Sequence, residues 1–187
     1  MTSSETIEVI ARRYACRAYQ DTPVPTEILQ AVAEAGVRAP SAVNRQPWRL
    51  VVITDKSVLD QIGRVGLENL KSKDAAAYDR IIGRGGVLLY NAPAMIIVAT
   101  EPPTGPFPVS LDAGIVASHL VLAATSLGVD SCVVALPGMA FTGDDGAELR
   151  QTCLPEGYDF GIAVLLGYAA APGGQPHQPD LAKISYI

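Results

Sequence analysis

Along this chain, apolar positions spaced three and four apart alternate with short unbroken apolar runs, and the two patterns predict a mixture of helices and strands. Ile28, Leu29, Val32, Ala35 and Val37 define one face of a helix over 26–37. Further helices are expected at 4 to about 13, 56–64, 67–82 and 111–127. Strands are expected at 50–54, 94–100, 131–136 and 158–167. The run Met95, Ile96, Ile97 and Val98 has no polar face, which suits a central strand covered on both sides. Thr142 is placed to cap a short helix reaching Thr152. Helices outnumber strands and come in pairs between some of them, so strict βαβ alternation is absent. The expected fold class is α+β, a layered sandwich with a central, mainly antiparallel sheet flanked by helices.

At 187 residues with 49% hydrophobic content, the chain has enough apolar material for one substantial core, and neither a repeat nor a long linker divides it. A single domain over 1–187 is expected. The net charge of -5, from 14 basic and 19 acidic residues, gives no field to attract nucleic acid or an anionic membrane. No apolar run approaches the roughly 18 residues of a membrane span, and the N-terminus has no basic stretch followed by an apolar core. A cytoplasmic protein is expected. Cys16, Cys132 and Cys153 form no CxxC pair, so reduced thiols without a structural metal are expected. The two histidines, His119 and His177, lie too far apart to suggest a metal site. Gly83-Arg84-Gly85-Gly86 has neither the dinucleotide nor the P-loop spacing and reads as a helix-terminating turn.

Chemistry concentrates in two segments. The first is Ala39-Pro40-Ser41-Ala42-Val43-Asn44-Arg45-Gln46-Pro47-Trp48, where Pro40 ends the preceding helix and Pro47 directs Gln46 towards an extended backbone. Ser41, Asn44 and Gln46 both donate and accept hydrogen bonds, which suits the mixed edge of a planar heterocycle; the same residues also bond their own backbone in ordinary loops. The second is Arg13-Tyr14-Ala15-Cys16-Arg17-Ala18-Tyr19. If the first helix continues through it, Arg13 and Arg17 share one face and are able to grip a phosphate, or simply form a solvated surface.

Taken together these segments resemble the nitroreductase family, whose pattern is Arg-x-Ser-x-Arg-x-Phe followed by Ala-Pro-Ser-x-x-Asn-x-Gln-Pro-Trp. Further matches follow in the family's order: Asn91-Ala92-Pro93, Asp112-Ala113-Gly114, Leu127-Gly128-Val129-Asp130-Ser131-Cys132, Leu154-Pro155-Glu156-Gly157-Tyr158 and Gly167-Tyr168. The resemblance implies an FMN-dependent oxidoreductase that passes hydride from NAD(P)H through flavin N5 to an electron-poor acceptor such as a nitroaromatic or quinone. It implies that Arg13, Tyr14, Ala15 and Arg17 hold the FMN phosphate and ribityl chain. It assigns Pro40, Ser41, Ala42, Asn44 and Gln46 to a flavin-binding loop supplied by the partner subunit, and Val134, Ala135 and Leu136 to the turn near N5. The tail, 169–187, opens on Pro172-Gly173-Gly174 and ends in Ile184, Tyr186 and Ile187, apolar residues that need cover. In the family such tails are domain-swapped around the second subunit of a homodimer.

Three departures from the pattern stand out. The family serine is Ala15, the tail's basic pair falls on His177-Gln178, and the Gly-Gly after the helix-exit strand is Ala135-Leu136. A histidine is only fractionally cationic near neutral pH, so FMN retention is expected to suffer. A flavin or planar-ligand carrier or sensor on the same scaffold is the alternative.

Overall fold

The computed structural model describes residues 4–104, 106, 108–171 and 174–187. Pro172 and Gly173, with which the tail was expected to open, lie outside the described residues. In chain order the elements are α1 (Glu5–Arg12), α2 (Thr26–Val37), a 3-10 turn (Ala42–Asn44), β1 (Trp48–Ile53), α3 (Lys56–Lys73), α4 (Ala75–Ile82) and β2 (Ala94–Thr100). There follow α5 (Val109–Ser126), β3 (Asp130–Val134), a 3-10 segment (Leu136–Phe141), α6 (Ala147–Cys153), β4 (Asp159–Gly167) and a last 3-10 turn (Leu181–Lys183). The strands form one sheet in the order β1-β2-β4-β3, with every neighbouring pair antiparallel. The α+β expectation holds.

The two-residue period of a strand divides the core. Met95, Ile97 and Ala99 of β2 meet Leu59, Ile62 and Val65 of α3 on one face of the sheet. Ala94, Ile96 and Val98 meet Leu29 and Val32 of α2 and Val116, Leu120 and Ala124 of α5 on the other. All seven residues of β2 are buried, as its unbroken apolar run predicts. The sequence suggests no span of membrane length, yet the 18-residue α5 is long and apolar enough by length and composition. Its fully buried Val116, Leu120 and Ala124 belong to the core against the sheet.

The β2–β4 ladder carries a bulge between Val98 and Ala99, opposite Gly161. A Cβ at Gly161 would lie 2.8 Å from both the Thr100 Cγ2 and the Val98 carbonyl oxygen. Gly161→Ala is therefore expected to destabilise the fold by about 1–3 kcal/mol, read as a lower urea midpoint at unchanged slope.

Several boundaries differ from expectation. The pair of helices at 56–64 and 67–82 is instead one long α3 and a short α4 that meet at Asp74, whose side chain accepts from the Ala77 N–H at 2.9 Å. Gly66 does not break α3; it admits Leu88, whose Cδ2 would stand 2.7 Å from a Cβ there. Thr142 does not cap α6. Its hydroxyl donates to the Met139 carbonyl, and α6 starts after Gly146, where a Cβ would meet the Ala140 carbonyl oxygen at 2.6 Å. β3 stops at Val134, and a 3-10 segment starts at Leu136, followed by Pro137, which has no N–H to continue a ladder. β1 begins two residues earlier than 50–54 and ends one residue sooner.

Candidate functional site

Arg13 and Arg17 do not form a helical pair. α1 ends at Arg12, and Arg13 has an extended backbone (φ -61°, ψ 133°). The chain then runs beside the outer edge of β3, with Ala15 bridged in parallel to Ser131 and the Cys16 N–H donating to the Ser131 carbonyl at 2.9 Å. Edge pairing replaces helix here because the segment supplies the hydrogen bonds that β3 lacks on that side. Both residues still lie on this one edge segment. Burial raises the pKa of the Cys132 thiol, while the charges of Arg17 and Arg13 each pull it down. Tyr14 is likewise raised well above its ordinary range, by burial first and then by its hydrogen bond to Asp130.

The tail begins on this same segment. Gln20 N–H donates to the Tyr168 carbonyl at 2.8 Å, Ala170 N–H to the Ala18 carbonyl at 2.9 Å, and Ala169 N–H to Asp130 Oδ2 at 2.8 Å. Gly174 lies against the Tyr14 ring, where any side chain would collide with it. His177 follows three residues later as an exposed side chain. A cavity of about 350 Å³ is lined by Arg12, Arg13, Tyr14, Asp130 and Ser131, among others. The Ser131 hydroxyl, 2% exposed, has no partner among the described residues. A larger cavity of about 640 Å³ lies between the first half of α3 and the stretch 86–93; Tyr19 and Asn91-Ala92-Pro93 line it, but none of the residues that the resemblance assigns to the flavin does.

After Val134 the chain turns at Ala135 (φ -105°, ψ -29°) into the 3-10 segment. Among the described residues, the N–H groups of Ala135 and Leu136 have no hydrogen-bond acceptor. Asn69 of α3 fixes this segment from behind, its buried amide donating to the carbonyls of Met139 at 3.0 Å and Thr142 at 3.1 Å. Nothing in the sequence marked Asn69, because its partners are backbone atoms about seventy positions away.

The 40–47 loop has an unusual backbone. Val43, Asn44 and Gln46 all have positive φ, of 48°, 55° and 50°. The expected extended conformation at Gln46 is therefore wrong. Its N–H donates to Ser41 Oγ at 2.8 Å and its side-chain amide to Asn44 Oδ1 at 2.9 Å, and these bonds hold it in the left-handed region. Of the two readings of the loop's polar residues, bonding to the loop itself describes Ser41, Asn44 and Gln46 in this chain. Asn44 and Gln46 remain exposed at the surface, and the loop's Pro40 and Ala42 flank Ser41. Outside the loop, Asp112 Oδ1 accepts from the Ala42 N–H, and Arg45 pairs with Glu101 at 2.9 Å.

These two halves do not meet in one chain. Tyr14, Ala15, Val134 and Leu136 pack with the α3 face beside β3, whereas Ala39 and Trp48, which bracket the loop, pack with the α2/α5 face at β1. β1 and β3 are the opposite edges of the sheet, three strand spacings or about 14 Å apart. Opposite edges and opposite faces leave each half incomplete on its own molecule.

The antiparallel sheet between helical layers, with a motif-bearing segment at each edge, defines an α+β sandwich. The chain belongs to the Nitroreductase family, whose model matches residues 10–168. A nitroreductase of Desulfitobacterium hafniense, solved with bound FMN, is similar over 100% of both chains at 42% identity and a TM-score of 0.92. A Bacteroides fragilis nitroreductase, also with bound FMN, covers 99% of this chain and 100% of its own at a TM-score of 0.87; at 24% identity it speaks to the fold. An Archaeoglobus fulgidus protein, provisionally named NADH dehydrogenase/NAD(P)H nitroreductase, is 28% identical over 130 residues, spanning 68% of this chain and 65% of that relative.

Proposed function

We propose that the protein is an FMN-dependent oxidoreductase whose flavin sites are shared between two copies of the chain. It takes hydride from NAD(P)H and delivers it to an electron-poor acceptor such as a nitroaromatic or quinone. The observation that carries this reading is the separation of the two motifs: arginines and free backbone N–H groups at the β3 edge, and the polar loop at the β1 edge of the opposite face. A second copy supplies to each site what its own chain holds out of reach.

The donor set fits the group. Arg13 and Arg17 offer two cations for a phosphate, and the Ser131 hydroxyl, in the cavity that Arg13 also lines, has no partner among the described residues. The unpaired N–H groups of Ala135 and Leu136 are free to donate to an acceptor on the ring edge, a role that needs no polar side chain. FMN, when bound, supplies the hydride-accepting and hydride-donating chemistry at its N5, and the protein orients it and controls access. Ala42 and Asn44 of the second copy would flank the ring.

The tail supports the paired assembly. Leu181, Ile184, Tyr186 and Ile187 are exposed by 53% or more, an apolar surface that a lone chain leaves in water. β1 is an edge strand whose partner on one side is β2. Its outer edge offers a ladder to the last residues of a second copy's arm.

Reconstitution with FMN followed by steady-state assays with NADH or NADPH and a quinone or nitroaromatic tests the reading. Flavin-dependent consumption of nucleotide together with acceptor, in a one-to-one ratio for the two-electron reduction of the quinone, is the expected result. Flavin bound without turnover by either nucleotide would favour the carrier or sensor.

A further inference from the structure

We propose that Asp112 is a positioning residue for the flavin-facing loop. From the first turn of α5, its buried carboxylate holds the Ala42 N–H and keeps residues 42–46 on a backbone course they would otherwise leave. The inference rests on the reading above, that this loop faces a flavin held by the second copy.

The loop's conformation runs against its own sequence. Left-handed geometry brings Cβ close to the following carbonyl, and a branched side chain suffers most. Val43 nevertheless sits at φ 48°, ψ 28°, with its side chain 75% exposed. Asn44 and Gln46 extend the left-handed run. Such a backbone persists where surrounding contacts over-determine it. Inside the loop, the Ser41–Gln46 and Asn44–Gln46 bonds close its neck. They do not orient the closed loop relative to the body.

Two ties from outside do that. On one flank, Asp112 is 5% exposed and its Oδ1 accepts from the Ala42 N–H at 3.3 Å. Asp112 stands in the first turn of α5, whose positive end favours an oxygen acceptor, so the acceptor is fixed on a rigid element. On the other flank, Arg45 donates to Glu101 Oε2 at 2.9 Å and to the Thr104 hydroxyl at 3.4 Å. With both ties made, Ala42, Val43 and Asn44 project as one preset surface. Asp112 lies on the face away from the arginines at the other sheet edge and reaches the flavin site only through the loop, by its bond to the Ala42 backbone.

The test uses the full-length protein stripped of flavin and retitrated with FMN, reading the dissociation constant by flavin fluorescence, the visible circular dichroism of the bound flavin, and the thermal midpoint of the apoprotein. Asp112→Ala should weaken FMN binding about tenfold and alter the visible dichroism. Asp112→Asn keeps the shape and the Oδ1 acceptor and should restore affinity to within about threefold of the parent, with the parent dichroism. FMN affinity and dichroism unchanged in Asp112→Ala, whatever its thermal midpoint, would overturn the proposal, as would equal loss in both variants. If Asp112→Ala does not fold, Arg45→Met decides: it should weaken binding in the same direction, and an unchanged constant would count against a tied loop. A parent protein that binds no FMN would instead bring down the functional reading beneath the inference.

Discussion

Arg13→Ala and Arg17→Ala should each weaken FMN binding by about 10- to 100-fold, measured by calorimetric titration of the apoprotein. The magnitude is that of one charge-assisted bond to phosphate, about 1.5–3 kcal/mol. Each substitution leaves the other arginine on the same edge segment, so the double variant should lose more than either single one. Arg12 is the internal control. It also lines the cavity, but its Nη2 is bonded to the Thr125 carbonyl at 3.2 Å, so Arg12→Ala should change affinity by less than about threefold. Equal effects at all three arginines would mean a diffuse electrostatic attraction and not a phosphate grip.

Deleting residues 184–187 should shift the protein from dimer towards monomer and lower FMN occupancy with it. Ile184, Tyr186 and Ile187 are exposed by 53%, 93% and 124%. Burying such a side chain is worth about 1.5–3 kcal/mol, so losing three from each arm weakens dimerisation by at least about a thousandfold. Light scattering coupled to size exclusion reads the first effect, and the flavin-to-protein absorbance ratio reads the second. The two should fall together, because a monomer carries the Arg13–Arg17 segment without the loop that faces it. A truncated protein that stays dimeric with full flavin would refute the role of the arm while leaving the arginines' role untouched.

Sequence periodicity located the strands and long helices to within a few residues because burial has a strong period: β2 and α2 lie where their apolar residues put them. Failures fell where one residue type serves two purposes. The gap expected between 64 and 67 falls inside α3, where Gly66 makes room for Leu88, and the strand expected to reach 136 gives way at Leu136-Pro137 to a 3-10 segment. For the site, the arginines were legible as residues and wrong as geometry: a four-residue spacing suggests a helical face, whereas both side chains project from an edge segment paired to β3. The Pro40–Trp48 loop was legible through its prolines and amides. Its left-handed backbone was not, since no glycine announces it. Asp112 and Asn69 were invisible as positioning groups because each bonds to backbone atoms about seventy positions away.

Anaerobic titration of the FMN-reconstituted protein with NADH and then NADPH, followed in the visible absorption spectrum, tests the central claim most directly. The account predicts a bound-flavin band that bleaches with at least one nucleotide and returns on addition of a quinone or nitroaromatic. A protein that retains no flavin under these conditions, or holds flavin that neither nucleotide bleaches, would contradict it.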